Sequence, residues 1–378
     1  MAVLRVEFDN ILCFNGFKAD FTYPKKLVKS PLEYEYLLNY PNIRYKKVNI
    51  IIGSNSSGKT SLGRAIWKTL VFINKKEANL VKDIVSNTSK DASILIDCAY
   101  PVGIFCRFEA IIKSNGEVLV RYQQLKMNKD DTYNDLINRL DETVLFGDYI
   151  QVLEKTVTGG WRTELPSNEM GFDTIDCNYT KEEQKEFVII YEKLLKAFDP
   201  SIEKVFISSE QEKTFIVKFY NGSTEAVTDG KKINSLTKMS SGTKNVINVA
   251  GIIYSIKKHY YGFYYVDEQF SFVNSDLEIA CLATMIECLG DGDQLFFTTH
   301  NEEVMNISLP LHSFSFLKKT KNDKNEFIVE LINASSFEKR NNVNVKNLYD
   351  NDYFDIAPDT KSIFYVADIS LSKQKKNN

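Results

Sequence analysis

The sequence predicts an α/β fold arranged around a mixed sheet. Residues 48–52 form a β-branched run typical of a buried strand, and apolar residues at helical spacing follow from Ser61. Two further buried runs, at 263–266 and 295–298, flank a helical segment at 276–289. Strands that alternate with helices in this way indicate an α/β sheet.

The N-terminal part predicts antiparallel strands beside this sheet. Residues 2–22 alternate apolar and polar positions, which is typical of one or two strands of a hairpin. Residues 93–122 also alternate, turn at Asn115-Gly116 and resume at Val118, so they predict a second hairpin.

The middle of the chain differs in composition. Residues 125–200 are rich in Asp, Asn, Lys and Glu, and a helical stretch at 181–198 ends before Pro200, so we predict a helical insert or arm. A strand pair at 205–207 and 215–220 follows, and a helix begins after Met239.

We therefore divide the chain into three parts. Residues 1–124 are expected to form an N-terminal lobe with a glycine-rich loop, 125–200 the insert, and 201–378 a C-terminal lobe. The two lobes together would form one discontinuous domain.

Composition excludes several classes of protein. The 378 residues are 43% hydrophobic and 26% charged with a net charge of −3, which argues against a disordered chain and against a strongly basic surface. The six cysteines lack the spacing of a zinc site or a disulfide framework. Because there is no secretion signal and no apolar run of about 18 residues, we expect a cytoplasmic protein without a membrane span.

The most specific motif is a glycine-rich loop between the strand at 48–52 and the next helix. It fits the phosphate-loop pattern G-x-x-x-x-G-K-[ST] at every fixed position. Backbone amides and the helix N-terminus would cradle phosphates, Lys59 would reach the β- and γ-phosphates, and the Thr60 hydroxyl would ligate Mg²⁺. A chance Gly/Ser turn is the alternative. The candidate nucleotide-binding residues are Gly53, Asn55, Ser56, Ser57, Gly58, Lys59, Thr60 and Ser61.

A second motif is the pair of carboxylates that ends the run at 263–266. Asp267 would hold Mg²⁺, and Glu268 would polarise the attacking water as a general base. Alone, the pair would equally suit a solvated acidic strand end. Its occurrence with a phosphate loop favours the catalytic interpretation.

Two further motifs complete the set. Ser240-Ser241-Gly242 precedes a helix, where hydroxyl and backbone donors could bind an anion, although a plain helix cap is the commoner explanation. His300 follows the run at 295–298 and could contact a γ-phosphate, although a lone histidine is more often structural.

Along the chain the phosphate loop is followed by Ser240-Ser241-Gly242, then Asp267-Glu268, then His300. This order resembles that of ABC-type ATPase heads, as in the structural-maintenance-of-chromosomes (SMC) and RecF families. Ser240-Ser241-Gly242 falls where those families carry a Leu-Ser-Gly-Gly signature, with Met239 in place of Leu and Ser241 in place of the first Gly. Residues 4–14 also resemble the start of that group. The resemblance implies an ABC-type P-loop ATPase head with a mixed central sheet, N-terminal antiparallel strands and a helical insert.

The resemblance also implies a composite site. The signature of one subunit, here Ser240, Ser241 and Gly242, would close over the nucleotide of another, so we expect at least a homodimer, with ATP and Mg²⁺ as cofactors. His300 would sense the γ-phosphate. Asn274 and Ser275 lie where that family's D-loop crosses the interface, and Gln123 and Gln124 are candidates for its Gln-loop.

Residues 337–358 are similar to the C-terminal end of a narrower set, the AAA/ABC-type ATPases of bacterial abortive-infection and phage-defence systems, including those of PARIS, OLD and Septu. This similarity implies a sensor or scaffold ATPase in antiviral defence that controls a separate protein effector, a nuclease or toxin encoded nearby.

Three other functions remain open. The first is a RecF/SMC-like ATPase of DNA repair or chromosome maintenance, in which two heads clamp DNA. The others are the ATPase subunit of a membrane transporter and a non-hydrolysing scaffold. The nearly balanced charge favours a protein partner over a general DNA clamp, although DNA binding is not excluded.

Overall fold

The computed structural model describes residues 1–25, 30–165, 179–211, 214–228, 239, 241–271, 273–321, 326–338, 343–356 and 361–368. The strands are β1 (Ala2–Asp9), β2 (Phe17–Asp20), β3 (Tyr36–Leu37), β4 (Tyr40–Arg44), β5 (Val48–Ile52), β6 (Ala92–Tyr100), β7 (Ile104–Ile112), β8 (Val118–Lys126), β9 (Gly147–Asp148), β10 (Trp161–Glu164), β11 (Ile202–Ile207), β12 (Thr214–Phe219), β13 (Thr224–Thr228), β14 (Phe263–Asp267), β15 (Gln294–Thr299), β16 (Phe314–Lys321) and β17 (Phe327–Asn333).

The α-helices are α1 (Lys59–Lys75), α2 (Asn79–Lys82), α3 (Tyr133–Asn138), α4 (Tyr149–Leu153), α5 (Lys181–Phe198), α6 (Ser241–Lys257), α7 (Ser275–Cys288), α8 (Ala334–Phe337), α9 (Val345–Asp350) and α10 (Lys361–Phe364). Short 3-10 helices cover Glu302–Asn306, Leu311–Ser313 and Tyr365–Asp368.

A mixed central sheet carries the strand order β10-β14-β15-β5-β16-β17. The strands from β10 to β16 run parallel, and β17 pairs antiparallel with β16. The carboxyl ends of β14, β15 and β5 therefore meet at one edge, where the phosphate loop and the Asp267-Glu268 pair follow their strands. The predicted buried strand, its neighbours and the mixed sheet are confirmed.

The two faces of the central sheet bury different elements. Ile51 faces a core that contains Leu62 and Ile66 of α1 together with the N-terminal strands. Ile50 and Ile52 face the opposite core, which contains side chains of α6 and α7. Successive residues of β5 face opposite sides of the sheet because the side chains of a strand point alternately in opposite directions.

The N-terminal strands form an antiparallel sheet with the order β2-β1-β6-β7-β8-β9. The predicted turn at Asn115-Gly116 joins β7 to β8, and Gly116 adopts a left-handed conformation with φ +87°. The chain also turns at Gly103, with φ +86°, so residues 93–122 form most of three strands instead of one hairpin. Alternation continues on both sides of that turn, which conceals it in the sequence.

Residues 125–200 are not a single helical arm. The helix predicted at 181–198 is confirmed as α5, which starts at a Thr180 capping box and packs on α6 and the β11-β12-β13 sheet. However, β10 pairs in parallel with β14 and belongs to the central sheet. Its sequence hides this position because Arg162 and Glu164, both polar, form an ion pair there, with side chains only 10% and 4% exposed.

Of the segments singled out in the sequence, Ser240, residues 339–342 and 357–358, and the Lys-rich end at 373–378 lie outside the described residues. Within the described residues, no helix combines the length and apolar character needed to cross a membrane.

Candidate functional site

The phosphate loop joins β5 to α1 in a conformation that requires glycine. Gly58 is the N-cap residue of α1 and has φ +112°, a backbone conformation that residues with a Cβ rarely adopt. A Cβ at Gly53 would lie 2.4 Å from the Ser57 Oγ, so the loop closes tightly there as well. Asn55 and Ser56 are exposed at the tip, whereas Thr60 and Ser61 are half-buried in the first turn of α1.

Lys59 connects the phosphate loop with the carboxylate pair. Its side chain is only 3% exposed, and its Nζ donates to the carbonyl oxygens of Gly53 at 2.6 Å and Ser54 at 3.2 Å. The same Nζ lies 3.1 Å from the Glu268 Oε1. A buried ammonium in this place can bind the phosphates of a nucleotide.

Asp267 is fully buried at the end of β14. Its Oδ1 accepts a hydrogen bond from the Thr298 hydroxyl, and its Oδ2 has no hydrogen-bond partner among the described residues. Burial raises the pKa of Asp267 to about 6, although the hydroxyls of Thr298 and Thr60 act in the opposite direction.

An unpartnered carboxylate oxygen near the Thr60 hydroxyl fits a cation with hard oxygen ligands. The Ser57 Oγ is likewise buried without a partner in the described part of the chain. These residues therefore fit the Mg²⁺ and the phosphates that the motifs predict. Thr298 was not a predicted site residue, since a hydroxyl inside a buried strand has no distinctive sequence pattern.

Glu268 follows Asp267 with φ +44°, in the left-handed region. Its N–H donates to the Thr298 carbonyl oxygen at 3.2 Å, and its side chain is 25% exposed. The backbone therefore turns sharply after the strand and directs the carboxylate towards Lys59.

Tyr265 of β14 packs against α1 and stabilises the end of the phosphate loop. It is fully buried on the α1 face of β14, and its hydroxyl donates to the Lys59 carbonyl oxygen at 2.9 Å. The ring occupies the space beside Gly63, where a Cβ would lie 2.4 Å from Tyr265 Cε1. The position of Lys59 thus depends on packing between α1 and β14.

His300 lies exposed directly after β15, in a loop held by Glu278 of α7. The Thr299 hydroxyl donates to Glu278 Oε1 at 2.6 Å, and Asn301 Nδ2 donates to Oε2 at 2.8 Å. Burial raises the pKa of Glu278, against the effect of these donors. In the sequence Glu278 resembles any acidic residue in the first turn of a helix, so its role was missed.

The signature segment is described only in part. Gly242 is buried in the first turn of α6, which starts at Ser241. The helix α6 packs on the opposite face of the central sheet from α1.

The remaining candidate residues, Asn274 and Gln123, lie on other elements of the fold. Asn274 caps α7, with its side-chain oxygen accepting from the Asp276 N–H at 2.7 Å. Gln123 lies on β8 of the antiparallel sheet, and its Oε1 accepts from the Asp141 N–H at 2.9 Å. Gln123 and Gln124 thus lie on the antiparallel sheet, and their assignment as Gln-loop residues stays a prediction.

Solved structures with a similar fold are SMC head domains. An Smc head bound to the C-winged helix domain of ScpA has 14% sequence identity and a TM-score of 0.53, over 90% of this chain and 100% of that chain. A Pyrococcus furiosus Smc head with an extended coiled coil, bound to the C-terminal domain of ScpA, has 10% identity and a TM-score of 0.51, over 88% and 97%. Neither a family model nor a curated protein sequence matches this chain. The chain therefore has the α/β fold of an ABC-type ATPase head, with a mixed central sheet and N-terminal antiparallel strands.

Proposed function

We propose that this chain is an ABC-type ATPase that binds ATP with Mg²⁺ and hydrolyses it. The observation that carries the proposal is the meeting of Lys59, Asp267 and Glu268 at one edge of the central sheet. Lys59 lies 3.1 Å from Glu268, and Asp267 keeps one buried oxygen without a partner among the described residues.

Each residue has a role that follows from its position. The backbone amides of the phosphate loop and Lys59 bind the phosphates, while Thr60 and Asp267 hold Mg²⁺, which would neutralise phosphate charge. Glu268 orients the attacking water, and His300, on the loop held by Glu278, contacts the γ-phosphate.

The composite site is the second part of the proposal. The sheet separates α6 from α1, which favours completion of the nucleotide site by the signature of a second copy. ATP would then control assembly, because it joins two subunits only while bound between them. We propose a homodimer or higher homo-oligomer.

The test uses the full chain and Glu268→Gln, with the exposed helix residue in Glu287→Gln as the matched control. We expect Glu268→Gln to bind ATP normally, to hydrolyse it at least about 100-fold more slowly, and to remain dimeric with ATP in light scattering. The control should behave as the wild type. Wild-type hydrolysis by Glu268→Gln would refute the assignment of Glu268.

Within this ATPase class we propose a sensor or scaffold in antiviral defence in the cytoplasm, controlling a separate nuclease or toxin. The support is the resemblance of residues 337–358 to defence ATPases. The test is co-expression with the product of the adjacent gene, followed by infection with a panel of phages. Reduced plaque numbers that are lost in Lys59→Met would support the role, and unchanged plaque numbers would refute it.

A DNA-clamping ATPase is the second candidate, favoured by the similarity of the fold to SMC heads. It predicts DNA binding that requires ATP and weakens steeply as salt increases, because phosphate contacts release counterions. Titration of labelled duplex DNA with Glu268→Gln at several salt concentrations would test it. The absence of binding at low salt would refute this candidate.

A further inference from the structure

Gln269, the residue after Glu268, is a buried polar side chain with no role in the function described above. It is 8% exposed, and its Nε2 donates to the Asp267 carbonyl oxygen at 2.9 Å. This bond bridges across Glu268, from the residue after it to the residue before it. The Gln269 side chain therefore stabilises the backbone turn that contains Glu268.

Asn245 of α6 holds Gln269 from the other side. Its Nδ2 lies 2.5 Å from the Gln269 carbonyl oxygen and 3.3 Å from Gln269 Oε1. Asn248, one turn later on α6, donates to Asn245 Oδ1 at 2.9 Å and so orients the Asn245 amide. The helix that begins with the signature is thus joined by hydrogen bonds to the end of β14.

The turn at Glu268 needs such support. A residue with a Cβ in the left-handed region, as at φ +44° here, is disfavoured because its Cβ lies too close to the following carbonyl oxygen. Without its neighbours the backbone of Glu268 would relax towards an ordinary conformation, and the carboxylate would move away from Lys59. A misplacement of about 1 Å is enough to lower a reaction rate about 100-fold.

We propose that Asn245 and Gln269 are positioning residues that hold Glu268 in its reactive orientation and couple it to α6. The inference rests on the proposed ATPase function. In the proposed dimer, α6 carries the signature that binds the partner's nucleotide. Asn245 and Gln269 therefore couple that binding to the position of Glu268 in the same subunit.

The experiment measures steady-state ATP hydrolysis by the full chain and by Asn245→Ala, Gln269→Leu and the double variant. We expect kcat to fall about 10- to 100-fold in each single variant, with KM for ATP within about threefold of the wild type. The double variant should be no more than about threefold slower than the slower single variant, since both changes release the same turn. Lys257→Ala, at the exposed far end of α6, is the control and should retain wild-type kcat.

Asn245→Asp provides a near-isosteric second test, because a carboxylate at this position cannot donate to Gln269. It should lower kcat as Asn245→Ala does while leaving the melting temperature near that of the wild type. Wild-type kcat in these variants, strictly additive losses, or a rise in KM that accounts for the whole loss would overturn the positioning role alone. An inactive wild-type chain that fails to bind ATP would instead refute the ATPase function, and the positioning role with it.

Discussion

Substitution of Gly63 by alanine is expected to destabilise the chain, although alanine is the better helix former. Gly63 lies inside α1, against the buried ring of Tyr265. A Cβ there would lie 2.4 Å from Tyr265 Cε1 and 2.9 Å from both Tyr265 Cδ1 and Leu165 Cδ2. The end of Leu165 is flexible, but the tyrosine ring is fixed by its hydrogen bond to the Lys59 carbonyl oxygen.

The expected loss can be estimated from three contributions. Helix propensity favours alanine over glycine by about 1 kcal/mol. Overpacking of a buried position costs about 1 to 3 kcal/mol. Displacement of the ring also breaks the hydrogen bond of Tyr265, worth about 1 kcal/mol. The net change in the free energy of unfolding is a loss of about 1 to 3 kcal/mol.

The assay is urea denaturation followed by circular dichroism, for Gly63→Ala in the wild-type and Tyr265→Leu backgrounds. Leucine removes the ring edge, so Gly63→Ala should there become neutral or stabilising by up to about 1 kcal/mol. A change of sign between backgrounds identifies the clash as the cause. Equal losses in both backgrounds, or no loss with Tyr265 present, would refute the reasoning.

Two other predictions concern groups that hold the site. Thr298→Val removes a donor to Asp267. Because that hydrogen bond stabilises the charged carboxylate, its loss should raise the pKa of Asp267 further. Burial raises that pKa to about 6, and a protonated Asp267 cannot hold the cation. Mg²⁺ affinity should therefore increase as pH rises through about 6 in the wild type and at higher pH in Thr298→Val. An unmoved pH dependence of Mg²⁺ binding would contradict this. Glu278→Ala should lower kcat about 10-fold, because it removes the acceptors that hold the His300 loop. Glu278→Gln keeps one acceptor and should lower kcat less. Equal kcat in the wild type and both variants would exclude the role of Glu278.

Local patterns predicted the elements whose signals lie within a few consecutive residues. The phosphate loop was recognisable because glycine, lysine and threonine at fixed spacing serve one short backbone turn, and its strand and helix lie next to it. The helix at 181–198 was predicted with its observed bounds because its helical pattern and Pro200 are close together in the sequence.

Elements that depend on distant partners were missed. The strand β10 is short and polar, and it is recognisable only through its pairing with β14, about 100 residues later in the chain. Arg162 can be buried there because Glu164 neutralises it and the Gly251 carbonyl oxygen of α6 accepts from it. The position of Gln123 on the antiparallel sheet is likewise set by strand pairing over a long separation and has no local pattern.

The sequence alone determined the α/β class, the phosphate loop and the identity of the carboxylate pair, because each depends on residues that are neighbours in the chain. Only the tertiary structure decided which groups meet. The register that pairs Asp267 with Thr298, and Thr299 with Ile52, brings three strand ends to one edge and sets Glu268 beside Lys59. The same packing places Gln269, Asn245 and Glu278 beside these strand ends, where each forms hydrogen bonds that position the site. Such contacts leave no local pattern, because their geometry is set by strand pairing and helix packing over long separations in the chain.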